Sequence, residues 1–227
     1  MAKRILTPLC ALCGIRPATT VEHVPARSLF PAPRPSDLIT VPACAPCNNG
    51  SQPNDDYFRD TIALIVETDP SAALEQVRKT VERALQRPQE IRLRKHFHER
   101  IEFAPLHGRL IHQPVIKPDS KRLNDTVAKH ALGLYYEMMR EPLPPEYGTV
   151  VLPVRWLDKI VQEDVPTWHK VIHWALTGGK RSIGGGVFRF AFNHAVDNKY
   201  AFVAVLMYYD NFIYAVRSFP LTATEAR

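Results

Sequence analysis

Cysteine is scarce in this sequence, and its four cysteines all lie within the first 47 of 227 residues. Long apolar runs are absent, since none approaches the roughly 18–20 residues that a helix needs to cross a bilayer, so we expect no membrane span. A signal peptide is not expected either, because the short apolar stretch after Lys3 and Arg4 is interrupted by Pro8. We therefore predict a cytoplasmic protein.

The composition is that of a folded chain with a moderate excess of basic side chains. Apolar residues make up 45% and charged residues 23% of the sequence, which argues against disorder over the whole length. At roughly 100–200 residues per domain, this length suits one large domain or two small ones. The net charge is +6, which is compatible with a polyanionic partner but does not establish one.

The four cysteines form two Cys-x-x-Cys pairs, Cys10 with Cys13 and Cys44 with Cys47. Each pair can place two sulfurs on one tight turn, and two such turns close a tetrahedral zinc site. The other interpretations are two disulfides or unrelated buried thiols, and a reducing cytoplasm disfavours disulfides. We predict a structural zinc ion whose ligands all come from protein, so that it stabilises the fold and does no chemistry.

The segment around these pairs is rich in proline and poor in glycine. Nine of the twenty prolines lie in residues 1–60, where Gly14 and Gly50 are the only glycines. So many prolines leave few backbone donors, and such a stretch would struggle to fold alone. We therefore expect the metal to supply folding free energy directly.

An acid and a histidine stand between the two cysteine pairs, in the segment Thr19–Pro25. The β-branched residues of this segment predict a short strand that ends at a proline. Asn48 directly follows the last cysteine. Glu22 and Asn48 offer oxygen ligands that suit magnesium. His23 would remain free to accept a proton from water, because the ordinary pKa of histidine lies near the working pH.

In the order and spacing of these residues the chain resembles the HNH endonucleases, ββα-metal nucleases with zinc knuckles. The family pattern runs Cys-x-x-Cys, Asp-His-Ile-x-Pro, Asn-Leu and Cys-x-x-Cys-Asn. The corresponding segments here are Cys10–Cys13, Glu22–Pro25, Asp37-Leu38 and Cys44–Asn48. The resemblance covers about residues 8–59, with Glu in place of the commoner Asp at 22 and Asp in place of Asn at 37.

The resemblance implies a division of roles among these side chains. His23 would be the general base that activates water for attack on a phosphodiester. Glu22 and Asn48 would bind one catalytic Mg²⁺ or another divalent cation, which stabilises the developing negative charge. Asp37 occupies the place of the family's middle asparagine, whose side chain steadies the histidine.

Several nearby residues have more than one interpretation. Arg27 and Arg34, close to His23 in sequence, are expected to contact phosphates of a nucleic acid. Asn48 could also cap a helix, and the two roles can coexist. Asp55 and Asp56 lie at the start of a predicted helix, where a helix dipole favours acidic side chains, so capping is the preferred interpretation over metal binding.

The rest of the chain predicts helices followed by strands. Apolar periodicity indicates helices over about Asp69–Pro88, Ser120–Arg140 and Trp168–Leu176. Alternating or continuous apolar residues indicate strands around Phe188–Phe192, Ala201–Tyr209 and Phe212–Val216. Gly178–Arg181 and Gly184–Gly186 could form a flexible basic loop whose backbone amides approach phosphates, but a hairpin connection is the preferred interpretation.

We therefore predict an α+β fold. An HNH-like zinc-knuckle ββα-metal module would occupy residues 1–60, and an α+β domain with an antiparallel sheet and an unknown role would occupy residues 61–227. The resemblance implies a metal-dependent endonuclease, with DNA favoured over RNA and a homodimer possible if both strands are cut. Two other hypotheses stay open: a non-catalytic zinc-stabilised module that binds nucleic acid or protein, and a zinc scaffold unrelated to nucleic acid.

Overall fold

A five-stranded antiparallel sheet and a separate N-terminal hairpin give the chain the predicted α+β fold. The computed structural model describes residues 8–64, 71–87, 101–106, 109–116, 118–154 and 165–222. Among these residues, none of the helices is both long enough and apolar enough to span a membrane.

The N-terminal part folds as a hairpin followed by a helix. Strand β1 (Thr20–Val24) pairs antiparallel with β2 (Ile39–Ala43). The one-turn helix α1 (Ala45–Asn48) begins directly after Cys44, and α2 (Gln52–Leu64) follows after a short 3₁₀ turn. The short strand predicted between the two cysteine pairs is confirmed as β1, and the unit has the predicted order of two strands and a helix.

Three further helices lie close to their predicted positions. They are, in chain order, α3 (Ala72–Leu85), α4 (Ser120–Met139) and α5 (Val165–Thr177). Helix α4 begins where the Asp119 carboxylate accepts a backbone N–H at 3.2 Å, and it ends at Arg140, which has a left-handed φ of 60°. The predicted start of α3 at Asp69 and Pro70 lies outside the described residues.

The central sheet contains every strand that apolar patterning predicted. Its order is β5 (Tyr147–Pro153), β9 (Phe212–Pro220), β8 (Phe202–Tyr208), β7 (Phe188–His194) and β6 (Gly179–Ile183). On β8, Ala204 and Leu206 belong to the same core as α4, whereas Val203 and Val205 pack with α5. Because both faces of β8 are covered, its sequence is almost continuously apolar.

Some strands have no clear signal in the sequence. Strand β6 lies at the sheet edge with exposed residues Gly179–Ser182, and Gly184–Gly186 lie in the turn that joins it to β7. The hairpin interpretation is therefore confirmed, although Gly179–Arg181 belong to the strand and not to a flexible loop. A polar edge strand lacks apolar alternation but gains its hydrogen bonds from β7. The hairpin of β3 (Ile101–Leu106) and β4 (Arg109–Ile116) and strand β5 were also not predicted.

Residues from both predicted domains share one hydrophobic core. Val24 and Val41 of the N-terminal hairpin belong to the same buried cluster as Val127 and Leu134 of α4. The boundary that we place after Asp60 falls inside α2. Packing against α4 therefore fixes the hairpin in place.

Candidate metal centre and adjacent polar site

The four cysteines lie together on two tight turns, as the spacing predicts. In the first turn, the Gly14 N–H donates to Cys10 O at 2.9 Å, and in the second the Cys47 N–H donates to Cys44 O at 3.1 Å. The four Sγ atoms all lie within 4.8 Å of one another. All four thiols are free, so the alternative of two disulfides does not describe this structure.

The sulfur geometry fits a metal ion such as zinc. A tetrahedral site with Zn–S bonds of about 2.3 Å places its sulfurs about 3.8 Å apart, and Cys13 Sγ lies 4.0 Å from Cys44 Sγ. Burial raises the pKa of Cys13, but backbone N–H groups of Arg16 and Ile15 outweigh it and lower the pKa to about 6. At Cys47, burial raises the pKa of the thiol. The lowered pKa of Cys13 favours the thiolate form, which is the form that binds a metal.

Glu22 and His23 lie side by side on β1 but face different surroundings. Their backbone positions pair with Val41 and Thr40 of β2, and successive side chains of a strand point to opposite faces. Glu22 is 5% exposed and points towards α2 and α4. His23 is half-buried, and its backbone N–H donates to Glu22 Oε1 at 3.2 Å.

Asn48 joins α1 to β1 through its side-chain amide. The Nδ2 atom donates to Val21 O and to Thr20 Oγ1, both at 3.0 Å. The amide thereby crosses from the residue after the last cysteine to the strand that carries Glu22 and His23. Its side chain makes no N-cap hydrogen bond, so the capping alternative does not describe its contacts.

Lys129 of α4 reaches Glu22 from the core side. Its Nζ atom lies 3.6 Å from Glu22 Oε1 and 2.5 Å from Asp55 Oδ2, and it donates to Ser51 Oγ at 3.0 Å. All three charged residues are buried. The result is one ammonium group between two carboxylates, next to the Glu22 side chain to which the resemblance assigns a divalent cation.

Each of the two carboxylates keeps one buried oxygen without a hydrogen-bond partner among the described residues, Glu22 Oε2 and Asp55 Oδ1. Burial raises the pKa of Glu22, and the charge of Lys129 opposes that rise. Burial raises the pKa of Asp55 in the same way. Buried carboxylate oxygens without partners are unfavourable, and a bound cation would satisfy them.

His23 is surrounded by positive charge on its own face. Burial lowers the pKa of the imidazole, and the nearby charges of Arg27 and Arg34 lower it further. Both arginines are exposed. Arg34 also lines a cleft of about 910 Å³ between α2, α3 and the loop after β1, together with three other arginines, Arg59, Arg83 and Arg122.

Asp37 has a different hydrogen-bond partner from the predicted one. Both of its carboxylate oxygens accept the Gly184 N–H at 3.3 Å, at the turn between β6 and β7. A bond from Asp37 to His23 is not found among the hydrogen bonds of the described residues. Glu22 and His23 thus lie on one strand with their side chains on opposite faces, and the Asn48 amide of α1 bonds to that strand. Asp37 bonds to the central sheet instead.

Lys129 is the site residue that sequence reasoning missed. The structure places Lys129 on the buried face of α4, together with Thr126 three residues before it and Gly133 four residues after it. A lysine on a helix is usually solvated, and the preferred role of Asp55 is helix capping, so the sequence does not indicate that the two side chains meet.

Comparisons of the chain with protein-family models, with curated proteins and with solved structures found no match.

Proposed function

We propose that this chain is a metal-dependent endonuclease of the HNH type, which hydrolyses phosphodiester bonds in nucleic acid, with DNA favoured over RNA. The observation that carries the proposal is the amide of Asn48, which bonds to Val21 O and Thr20 Oγ1 at 3.0 Å on the strand of Glu22 and His23. The Asn48 amide is thereby joined to the strand that carries an acid and a histidine, within a ββα unit that also holds the four cysteines.

The proposed metals have separate roles. Zinc would be held by the four thiols and would stabilise the turns, with no open position for chemistry. Glu22 and Asn48 would hold one Mg²⁺ or another divalent cation through oxygen. That cation would supply charge stabilisation for the phosphorane-like transition state and for the leaving oxygen.

His23 would act as the general base. Because burial and two arginines lower its pKa, the imidazole is neutral at pH 7 and can accept a proton from water. Its ring makes no hydrogen bond with the described residues, so a ring nitrogen is available to that water. The resemblance also assigns Asp37 to steady this ring, but its carboxylate accepts the Gly184 N–H instead, so that role is not proposed.

Arginines on the His23 face would contact the phosphates of the substrate. Arg27 and Arg34 are exposed beside the histidine, and Arg34 continues into the cleft of about 910 Å³. Guanidinium groups bind phosphate oxygens with two parallel hydrogen bonds. Such contacts orient a nucleic acid without reading its sequence.

The test is a gel assay of supercoiled plasmid and single-stranded RNA on the zinc-loaded chain, with and without added Mg²⁺. Wild type should cut in Mg²⁺ alone, His23→Ala should not cut, and His173→Ala, an exposed histidine on α5, should cut like wild type. Zinc content and thermal stability should be equal in all three proteins. Equal cutting by wild type and His23→Ala would contradict the assignment of the base.

The second candidate function is a non-catalytic, zinc-stabilised module that binds nucleic acid or protein. The observation that favours it is the Lys129 ammonium, 3.6 Å from Glu22 Oε1, which already neutralises the proposed metal ligand. Under this hypothesis the zinc-loaded chain would bind DNA or RNA as tightly without added Mg²⁺ as with it, and no polymer would be cut under any metal condition.

A further inference from the structure

The ammonium group of Lys129 lies in a pocket of oxygens. It contacts Asp55 Oδ2 at 2.5 Å, Ser51 Oγ at 3.0 Å and Glu22 Oε1 at 3.6 Å. These oxygens come from β1, from α2 and from the turn before α2. A carboxylate-rich pocket of this kind is what Mg²⁺, Mn²⁺ and Ca²⁺ prefer in proteins.

The pocket holds two carboxylates and one ammonium group. Two ionised carboxylates carry two negative charges, and one ammonium balances one of them. Glu22 Oε2 and Asp55 Oδ1 are buried and have no hydrogen-bond partner among the described residues, while their residues are only 5% and 7% exposed. A divalent ion would balance both charges and would give both oxygens a partner.

The lysine has space to leave the pocket. It lines a cavity of about 360 Å³ between α1 and α4, along with the polar residues Ser51, Asn54 and Asp125. A lysine side chain is long and flexible, and its ammonium is strongly hydrated. The cavity therefore offers an alternative position in which the ammonium would be near water and near a carboxylate.

We propose that Lys129 is the resident cation of a divalent-metal site formed by Glu22 and Asp55, and that a divalent ion binds there in exchange for the lysine ammonium. The inference rests on the proposed function in one respect, since both take Glu22 as a metal ligand. It adds Asp55 as a second carboxylate ligand and Lys129 as the residue that sets the affinity of the site.

Mn²⁺ binding to the full, zinc-loaded chain tests the exchange without any nuclease assay. Free Mn²⁺ is counted by its electron paramagnetic resonance signal during a titration. Lys129→Met keeps the length of the side chain and removes its charge, so it should tighten Mn²⁺ binding by about tenfold or more. The matched control is Lys121→Met on the same helix, whose side chain is 82% exposed, and it should leave Mn²⁺ affinity unchanged.

Second-site variants identify the ligands. Adding Asp55→Asn or Glu22→Gln to Lys129→Met should remove the tightening. Equal Mn²⁺ affinity in wild type and Lys129→Met, or tightening that survives both second-site changes, would overturn the proposal. If Lys129→Met fails to fold by circular dichroism and zinc content, Asp55→Asn in the chain that keeps Lys129 decides: weaker Mn²⁺ binding supports the site, and unchanged binding overturns it.

The two proposals can fail separately. Absence of cutting by wild type, together with tighter Mn²⁺ binding in Lys129→Met, would reject the nuclease and keep the exchangeable metal site. Mg²⁺-dependent cutting that needs His23, together with unchanged Mn²⁺ affinity in Lys129→Met, would keep the nuclease and reject the exchange.

Discussion

Gly133 of α4 lies directly against Val24 of β1, the residue after His23. A Cβ atom added at Gly133 would overlap Val24 Cγ2 and would lie 3.2 Å from Val24 Cγ1. Val24 is 1% exposed, so its side chain has little room to move away. The helix can therefore approach the strand of the candidate site only because position 133 has no side chain.

Gly133→Ala should lower the free energy of unfolding by about 1–3 kcal/mol, which is typical of overpacking a core. The change also improves helix propensity by about 1 kcal/mol, so a net loss would show that the clash is the larger effect. Urea unfolding measures the change. Val24→Ala in the same chain should recover part of the loss, and a stabilised Gly133→Ala would contradict the close packing.

Cys47→Ser should release the metal from the cysteine cluster. Three thiols bind zinc more weakly than four, and a structural zinc ion contributes folding free energy directly. We expect zinc content well below one ion per chain and rapid proteolysis within residues 8–59. Ala45→Ser, which adds a hydroxyl two residues away, is the control. Full zinc occupancy and normal thermal stability in Cys47→Ser would reject the four-thiolate site.

Asn48→Ala should destabilise the fold by about 1–3 kcal/mol, because it removes both hydrogen bonds from α1 to β1 and leaves Val21 O and Thr20 Oγ1 without that donor. Asn48→Asp keeps an oxygen for a metal but cannot donate, so it should be destabilised as well. The adjacent and exposed Asn49→Ala is the control. Normal stability in Asn48→Asp would show that the amide hydrogen bonds contribute little.

His130 should make the fold less stable in mild acid. The Ala26 N–H donates to His130 Nε2 at 3.2 Å, so the ring proton is on Nδ1, which lies 2.8 Å from Tyr208 Oη. Complete burial, with a smaller contribution from the charge of Lys129, lowers the pKa of His130 well below 6.5. The unfolded chain therefore binds a proton at a higher pH than the folded chain does.

Stability should consequently fall as the pH drops below about 6.5, with a slope of at most about 1.4 kcal/mol per pH unit from this group. His130→Gln should lose that slope, although it is less stable at pH 7. Urea unfolding of wild type and His130→Gln from pH 7.5 to 5 measures how the free energy of unfolding of each protein changes with pH. Both proteins keep the four cysteines, so the pH dependence of the zinc thiolates cancels when the two curves are subtracted. Parallel curves for the two proteins would contradict the assignment.

Local patterns predicted much of this structure because the interactions concerned are local. The apolar stripe of α4, with Leu123, Val127 and Leu134, requires only helical periodicity. The alternation in β7 and the continuous apolar run of β8 likewise follow from which faces are covered. In contrast, β6 has four exposed residues and forms through pairing with β7, which no local pattern of its own residues indicates.

The candidate site also has features that the sequence alone determines and features that depend on tertiary packing. Two Cys-x-x-Cys pairs determine by themselves that four thiols can share one ion, because each turn brings its own two sulfurs together. The sequence also determines the order of Glu22, His23 and Asn48. Only the tertiary structure decided that Lys129, more than one hundred residues from Glu22 in the chain, lies beside it, and that Asp37 bonds to Gly184. Such contacts depend on how α4 and the sheet pack against the hairpin, and packing joins residues whose separation along the chain carries no signal.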